Sequence, residues 1–217
     1  MKRLVSVCLV LVLMLAVFSS CTANKSTEID LSKYEEKGNP IAVIEMKDGG
    51  VIIFELYADK APNTVKNFIS LANSGFYDGL TFHRVIATFM IQGGDPKGNS
   101  TGGPGYTIFG EFADNDFDTD LVHLRGSVSM ARAGSYYNPS AYYNTAGSQF
   151  FICVEDQPSL DNQYAVFGFV LEGMDIVDEI AGVKTDGNDK PVKDVVMEKV
   201  YVETFGVEYA EPETIAK

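Results

Sequence analysis

The segment "IAVIEMKDGGVIIFELY", Ile41 to Tyr57, constrains the fold more than any other stretch of the chain. Apolar and β-branched residues fill two strand-length runs. Asp48-Gly49-Gly50 between them supplies the residues that tolerate the left-handed backbone of a tight hairpin. Antiparallel pairing is therefore expected from the start of the folded region. Later runs of the same kind are "GSVSMARA", "SQFFICVE", "YAVFGFVL" and the alternating "VVMEKVYVETF". Helical spacing appears twice. In "APNTVKNFISLANSGF" it is marked by Val65, Phe68, Ile69 and Ala72, with Pro62 near the start and Gly75 as a stop; "GMDIVDEIAGV" is the second. Many strands, two helices and short connections predict a mainly β domain, an antiparallel sheet closed into a barrel or sandwich.

Before Pro40 the pattern is different. "MKRLVSVCLVLVLMLAVFSSC" has Lys2 and Arg3, then a mostly apolar run from Leu4 to Phe18, then Ser19, Ser20 and Cys21. The apolar run falls short of the ~20 residues of a comfortable membrane span. It has the plan of an export signal over residues 1–20. The ending "VFSSC" resembles a bacterial lipoprotein signal, which implies lipidation at Cys21; a plain secretory signal is the alternative. Residues 21–39 are polar and without periodicity, as expected of a tether. Residues 40–205 would be the domain and 206–217 a C-terminal tail.

Bulk charge excludes one class of partner. With 30 acidic against 17 basic residues and a net charge of −13, the chain is a poor match for a nucleic-acid backbone. Three cysteines are present, and only Cys153 would remain free after export and lipidation, so no disulfide framework is expected. Cys153 lies in an apolar strand and reads as a small buried hydrophobe. His83 and His123 have no metal-site spacing around them. The glycines of "GGDPKGNSTGGPGYTIFGE" lack the Gly-Lys-Ser/Thr ending of a phosphate loop, and "AGSQF" lacks the second glycine of a nucleophile elbow. No metal and no cofactor are expected.

One stretch resists a bland reading. "FHRVIATFMIQGGD", Phe82 to Asp95, reads as a single apolar strand ending in a Gly-Gly turn, yet it contains Arg84 and Gln92. A period of two would put Arg84, Ile86, Thr88, Met90 and Gln92 on one face. Arg84 is open to two readings here: a strand-edge arginine in solvent or paired with one of many acids, or a rigid cation facing a substrate.

Taken with "STGGPGYTIFGEF", "HLRGSVSMARA", "GSQFFI" and "YAVFGFVLEGMDIVDEI", this stretch resembles the successive blocks of the cyclophilin family of peptidyl-prolyl isomerases, in order from about Pro40 to Phe205. The resemblance implies an eight-stranded antiparallel closed β-barrel capped by two α-helices. It implies a monomer that acts on proline-containing flexible polypeptides, with Arg84 as the catalytic residue. Phe89, Met90, Phe151 and Leu160 match the wall of the proline pocket. Gln92 matches a glutamine that orients the arginine. Ala131, Arg132 and Ala133 match the segment along which substrate lies, and Gln149 a further polar contact. Phe89 has the wrong parity to share a face with Arg84 and Met90, so a kink or bulge is expected near Ala87-Thr88.

Three departures stand out. Ser159 replaces a tryptophan common in the family, which implies weak binding of the cyclic peptide cyclosporin. Tyr164 stands at a pocket position that is often histidine. The loop "GSYYNPSAYYNT" is long and holds Tyr136, Tyr137, Tyr142 and Tyr143. It reads either as a rim gripping unfolded chains or as a loop packed onto the barrel. Together these features lead to an isomerase for exported proteins, lipid-anchored outside the cytoplasm of a bacterium. The alternative is a non-catalytic chaperone or scaffold that binds proline peptides in the same groove.

Overall fold

The computed structural model describes residues 29–135 and 137–216, so the expected signal, Cys21 and Tyr136 lie outside the described residues. The opening hairpin forms as its sequence demands. Strand β1 (Ile41–Met46) pairs antiparallel with β2 (Val51–Leu56), with Ala42 opposite Phe54. Gly49 and Gly50 turn the chain at φ 94° and 88°, where a side chain would be strained.

Eight strands build one antiparallel sheet. After the first hairpin come β3 (Arg84–Ile86) and β4 (Met90–Gly93). A two-residue strand, β5 (Tyr106–Thr107), stands apart from that sheet. The sheet continues with β6 (Ser127–Met130), β7 (Phe150–Cys153), β8 (Val166–Glu172) and β9 (Met197–Glu203). The spatial order is β3-β4-β7-β6-β8-β2-β1-β9. The closed barrel expected from the resemblance is corrected to a curled, open sheet, because edge strands β3 and β9 do not pair with each other. β3 is only three residues long, and irregular chain occupies its outer edge: the Val85 amide donates to the Asp189 carbonyl at 2.8 Å. Just before β3, the Phe82 amide donates to the Val195 carbonyl, and an isolated bridge joins Thr81 to Val196. Backbone contacts thus bring the two edges together without a ladder.

One face of the sheet packs into the main core. Phe68, from helix α1 (Pro62–Asn73), lies among the rings of Phe54, Tyr77, Phe150 and Phe167 at centroid distances of 5.1–5.6 Å. Rings at such separations add to the stabilisation from buried area alone. The residue before α1 is Ala61, which offers no side-chain cap. The buried carboxylate of Glu111 does this work from a distant loop, accepting from the Asn63 amide at 3.0 Å and the Thr64 amide at 2.7 Å. An anion there meets both the orphan amides and the positive end of the helix dipole. A second helix, α2 (Met174–Ala181), buries Val177, Ile180 and Ala181, and its Asp178 receives both arms of the Arg125 guanidinium.

Both ends of the domain extend beyond the sequence boundaries. The last nine residues of the expected tether are not free chain. Ser32–Lys37 form a 3-10 helix, Leu31 and Tyr34 are buried, and Lys37 and Asn39 bond the Glu55 carboxylate. In the C-terminal tail, strand β10 (Ile215–Ala216) pairs with β5, while Asn63 and Glu213 exchange two hydrogen bonds.

Candidate active site

The stretch from Phe82 to Asp95 is not one strand. It is a tight hairpin of β3 and β4 turning at Ala87–Phe89, with Arg84 opposite Gln92, Val85 opposite Ile91 and Ile86 opposite Met90. The expected irregularity at Ala87-Thr88 is thus a complete reversal. Directly opposed residues of an antiparallel pair point to the same side, so Arg84 and Gln92 still share a face. Phe89 escapes the parity rule because it belongs to the turn, where its amide donates to the Ile86 carbonyl at 2.9 Å.

Pleating then sorts the side chains of three adjacent strands. On β7, Phe150 and Ile152 enter the main core, whereas Phe151 and Cys153 face outward. There they join Met90 in a second, smaller apolar cluster, with Ile86, Phe89, Ala131, Leu160 and Tyr164 packed around it. This double burial explains why "FFIC" is continuously apolar rather than alternating. Arg84 and Gln92 stand beside that cluster, so polar and apolar residues share one outward face of the sheet.

The cluster is open at the surface. A cavity of about 280 Å³ is lined by Arg84, Phe89, Met90, Gln92, Ala131, Arg132, Phe151, Leu160 and Tyr164. It adjoins a polar groove of about 660 Å³ that shares Arg84, Gln92, Ala131 and Arg132 and adds Ala133, Gln149, Thr101, Gly102 and Thr107. Every pocket residue named from the resemblance therefore lines one of two adjoining cavities.

A chain of hydrogen bonds crosses their boundary. The Arg84 Nη1 group donates to Gln92 Oε1 at 3.4 Å; Gln92 Nε2 donates to Gln149 Oε1 at 2.9 Å; Gln149 Nε2 donates to the Gly102 carbonyl at 2.9 Å. On the other side, the Asp189 carboxylate lies 3.6 Å from Arg84 Nε. Asp189 is 105 residues away in sequence and was missed; its left-handed φ of 62° in a turn is a local feature with no pocket signature. Gly102 is also specific in its type. A Cβ there would lie 1.9 Å from an Asp95 carboxylate oxygen. Asp95 organises this loop by accepting from the amides of Lys97 and Asn99. Burial opposes its charge, but these backbone donors prevail and hold its carboxyl below the usual range.

A second missed group underlies the cavity. His123 stacks on Phe151 at 6.0 Å, with its Nδ1 3.0 Å from Asp161 and its Nε2 3.1 Å from Ser129 Oγ. The resulting Ser-His-Asp row is not a nucleophile arrangement, because Ser129 is fully buried. It fixes the ring beneath Phe151. Cys153 is buried as expected, and burial pushes its thiol up to about 12. The tyrosine-rich loop divides. Tyr143 packs edge-on against Phe112 at 5.1 Å, while Tyr137 is 94% exposed.

Relatives bear directly on this geometry. Residues 41–202 match the family model described as cyclophilin type peptidyl-prolyl cis-trans isomerase/CLD. Peptidyl-prolyl cis-trans isomerase B of Bacillus subtilis is 52% identical over 130 residues, covering 60% of this chain and 82% of that protein. Peptidyl-prolyl cis-trans isomerase-like 1 of Rhizopus delemar is 49% identical over 142 residues, covering 65% and 80%. Among solved structures, a cyclophilin type isomerase of Cryptosporidium parvum, crystallised in the presence of the dipeptide Ala-Pro, overlays with a TM-score of 0.65 at 31% identity, covering 75% of this chain and 98% of that one. The curled eight-stranded sheet, the paired cavities and these relatives lead to one conclusion: the chain belongs to the family of cyclophilin-type peptidyl-prolyl cis-trans isomerases.

Proposed function

We propose that this protein accelerates cis–trans rotation of X-Pro bonds by placing the Arg84 guanidinium against the prolyl nitrogen of the twisted transition state. The observation that supports it best is the position of Arg84, a cation at the junction of an apolar cavity and a polar groove. Amide resonance sets a rotational barrier of ~18–20 kcal/mol, which makes X-Pro isomerisation take tens to hundreds of seconds. At the twisted geometry resonance is lost and the nitrogen lone pair becomes an acceptor. A donor aimed at that lone pair binds the twisted state more strongly than either planar state, which is what catalysis requires.

Each neighbour has a part. Phe89, Met90, Phe151, Leu160 and Tyr164 would hold the proline ring, and Gln92 with Gln149 would steady the guanidinium. A guanidinium remains protonated throughout and offers five donors in a rigid plane. No bond is made or broken, so no nucleophile or cofactor takes part. Catalysis is tested by exchange NMR on an Ala-Pro-containing peptide. Enhanced cis–trans exchange at a small molar fraction of protein is expected. Peptide binding with no enhancement would instead identify a non-catalytic proline-peptide binder.

The site of action is part of the same proposal. The basic-apolar-serine plan of residues 1–20 supports export, and "VFSSC" supports a lipid on Cys21 that holds the enzyme at a bacterial membrane, acting on exported proteins. Incorporation of labelled fatty acid by the wild type but not by Cys21→Ala would agree with the anchor; equal incorporation would refute it.

A further inference from the structure

Arg132 is unusual among the described arginines. Arg125 forks onto Asp178, and Arg84 has Asp189 at 3.6 Å. Among the described residues, no carboxylate lies within 4.0 Å of the Arg132 guanidinium. That is notable in a chain with 30 acidic residues. Instead the guanidinium is held by uncharged groups. It lies over Tyr164 at 4.5 Å, Tyr143 at 5.2 Å and Phe112 at 5.5 Å. Its Nε donates to the Gln163 carbonyl at 3.0 Å and its Nη1 to the Ala133 carbonyl at 3.0 Å. Those two bonds use two of its five N–H groups.

Position matters as much as isolation. Arg132 lines both the apolar cavity and the polar groove, so it stands where a chain leaving the cavity must pass. Otherwise the groove is lined by Arg84 and by neutral serine, threonine, glutamine, glycine and alanine, with no carboxylate. A bound peptide therefore meets two cations in a groove lined by no carboxylate, with Asp189 beside Arg84 but none beside Arg132, on a protein whose net charge is −13. The aromatic cage and the carbonyls lock the guanidinium, which lowers the entropy lost when it captures an anion.

We infer that Arg132 is a specificity-determining residue that selects substrates carrying aspartate or glutamate at one of the two positions before the proline, by donating hydrogen bonds to their carboxylate at the mouth of the cavity. The inference rests on the isomerase reading of the same site and names its substrate class. A partly exposed charge pair of this type discriminates by roughly three- to five-fold. Lysine at the same place meets the like charge of Arg132 and is disfavoured.

Peptides Ala-X-Pro-Phe and X-Ala-Pro-Phe, with X as Glu, Ala or Lys, test it. Exchange NMR gives kcat/KM, and equilibrium titration gives Kd for the same peptides. The wild type should favour Glu over Lys by roughly three- to five-fold in at least one series, with the ratio shrinking as salt is raised to about 0.5 M. Arg132→Gln should bring the ratio to about one, and Arg132→Lys should restore part of it. A purely structural Arg132 predicts a different pattern, with all peptides weakened in the same proportion. No preference in the wild type, or a ratio unchanged in Arg132→Gln, overturns the inference. Absence of turnover with every peptide would instead count against the isomerase reading, and the Kd ratios would still decide the role of Arg132.

Discussion

Acidification from about pH 7.5 to about 5.5 should destabilise the fold through its two histidines, which are ordinarily half-protonated near ~6.5. Both are buried, His83 at 4% exposure and His123 at 1%. Burial pushes the pKa of His83 down; Asp95 pulls it back, and Arg84 and Lys190 lower it further. Burial also lowers the pKa of His123, against the upward pull of Asp161. In the folded chain both groups therefore stay neutral at a pH where the unfolded chain takes up protons. Their contribution to stability is fully present above ~6.5 and is lost as pH falls towards the depressed folded values. The slope is at most about 1.4 kcal/mol per pH unit for each histidine, hence at most about 2.8 kcal/mol per unit for the pair. Carboxyls held low, such as those of Asp95 and Asp178, act in a separate window below ~3.9. Urea unfolding at several pH values gives the free energy directly, provided the m-value stays constant. The midpoint should fall on acidification, and His123→Gln should remove part of the slope while retaining a polar partner for Asp161 or Ser129. A midpoint that is flat or rising between pH 7.5 and 5.5 would refute the reasoning.

Other consequences can be checked with single changes. Gln92→Leu removes the bonds to Arg84 and Gln149; with ~1 kcal/mol per hydrogen bond, kcat/KM should drop about thirtyfold, mainly in kcat, as read by exchange NMR. Deleting residues 207–217 removes the β10 pairing, the Asn63–Glu213 exchange and the Ser70–Glu211 bond, and should cost about 1–3 kcal/mol in urea unfolding. Ser159 is exposed beside Leu160 and offers no ring, so cyclosporin should inhibit weakly and Ser159→Trp should strengthen inhibition in a titration.

Much of this molecule is legible in sequence because its signals are local. The Asp48-Gly49-Gly50 turn, the helical spacing around Phe68 and the long runs of β8 and β9 each carry their own periodicity. The hairpin at Arg84 was misread because its turn, Ala87-Thr88-Phe89, contains no glycine, proline or asparagine to mark it. Strands β5 and β10 have two residues each, too few for any period to show. The cavity lining was legible where residue types match the family blocks, as with Arg84, Gln92 and Phe151. Asp189 beside Arg84, the His123–Asp161 pair beneath Phe151 and the cage around Arg132 were not. They are long-range meetings of residues that look like ordinary turns and surface positions.

The central claim is that Arg84 stabilises a twisted bond rather than merely holding a peptide. Exchange NMR with parallel Kd titration on the wild type, Arg84→Lys and Arg84→Ala tests it most directly. Loss of a donor matched to developing charge costs about 10²–10³ in rate. The prediction is therefore a fall of that order in kcat for Arg84→Ala, a partial return in Arg84→Lys, and peptide affinities within a few-fold of the wild type. Equal exchange rates in the wild type and Arg84→Ala would contradict the mechanism.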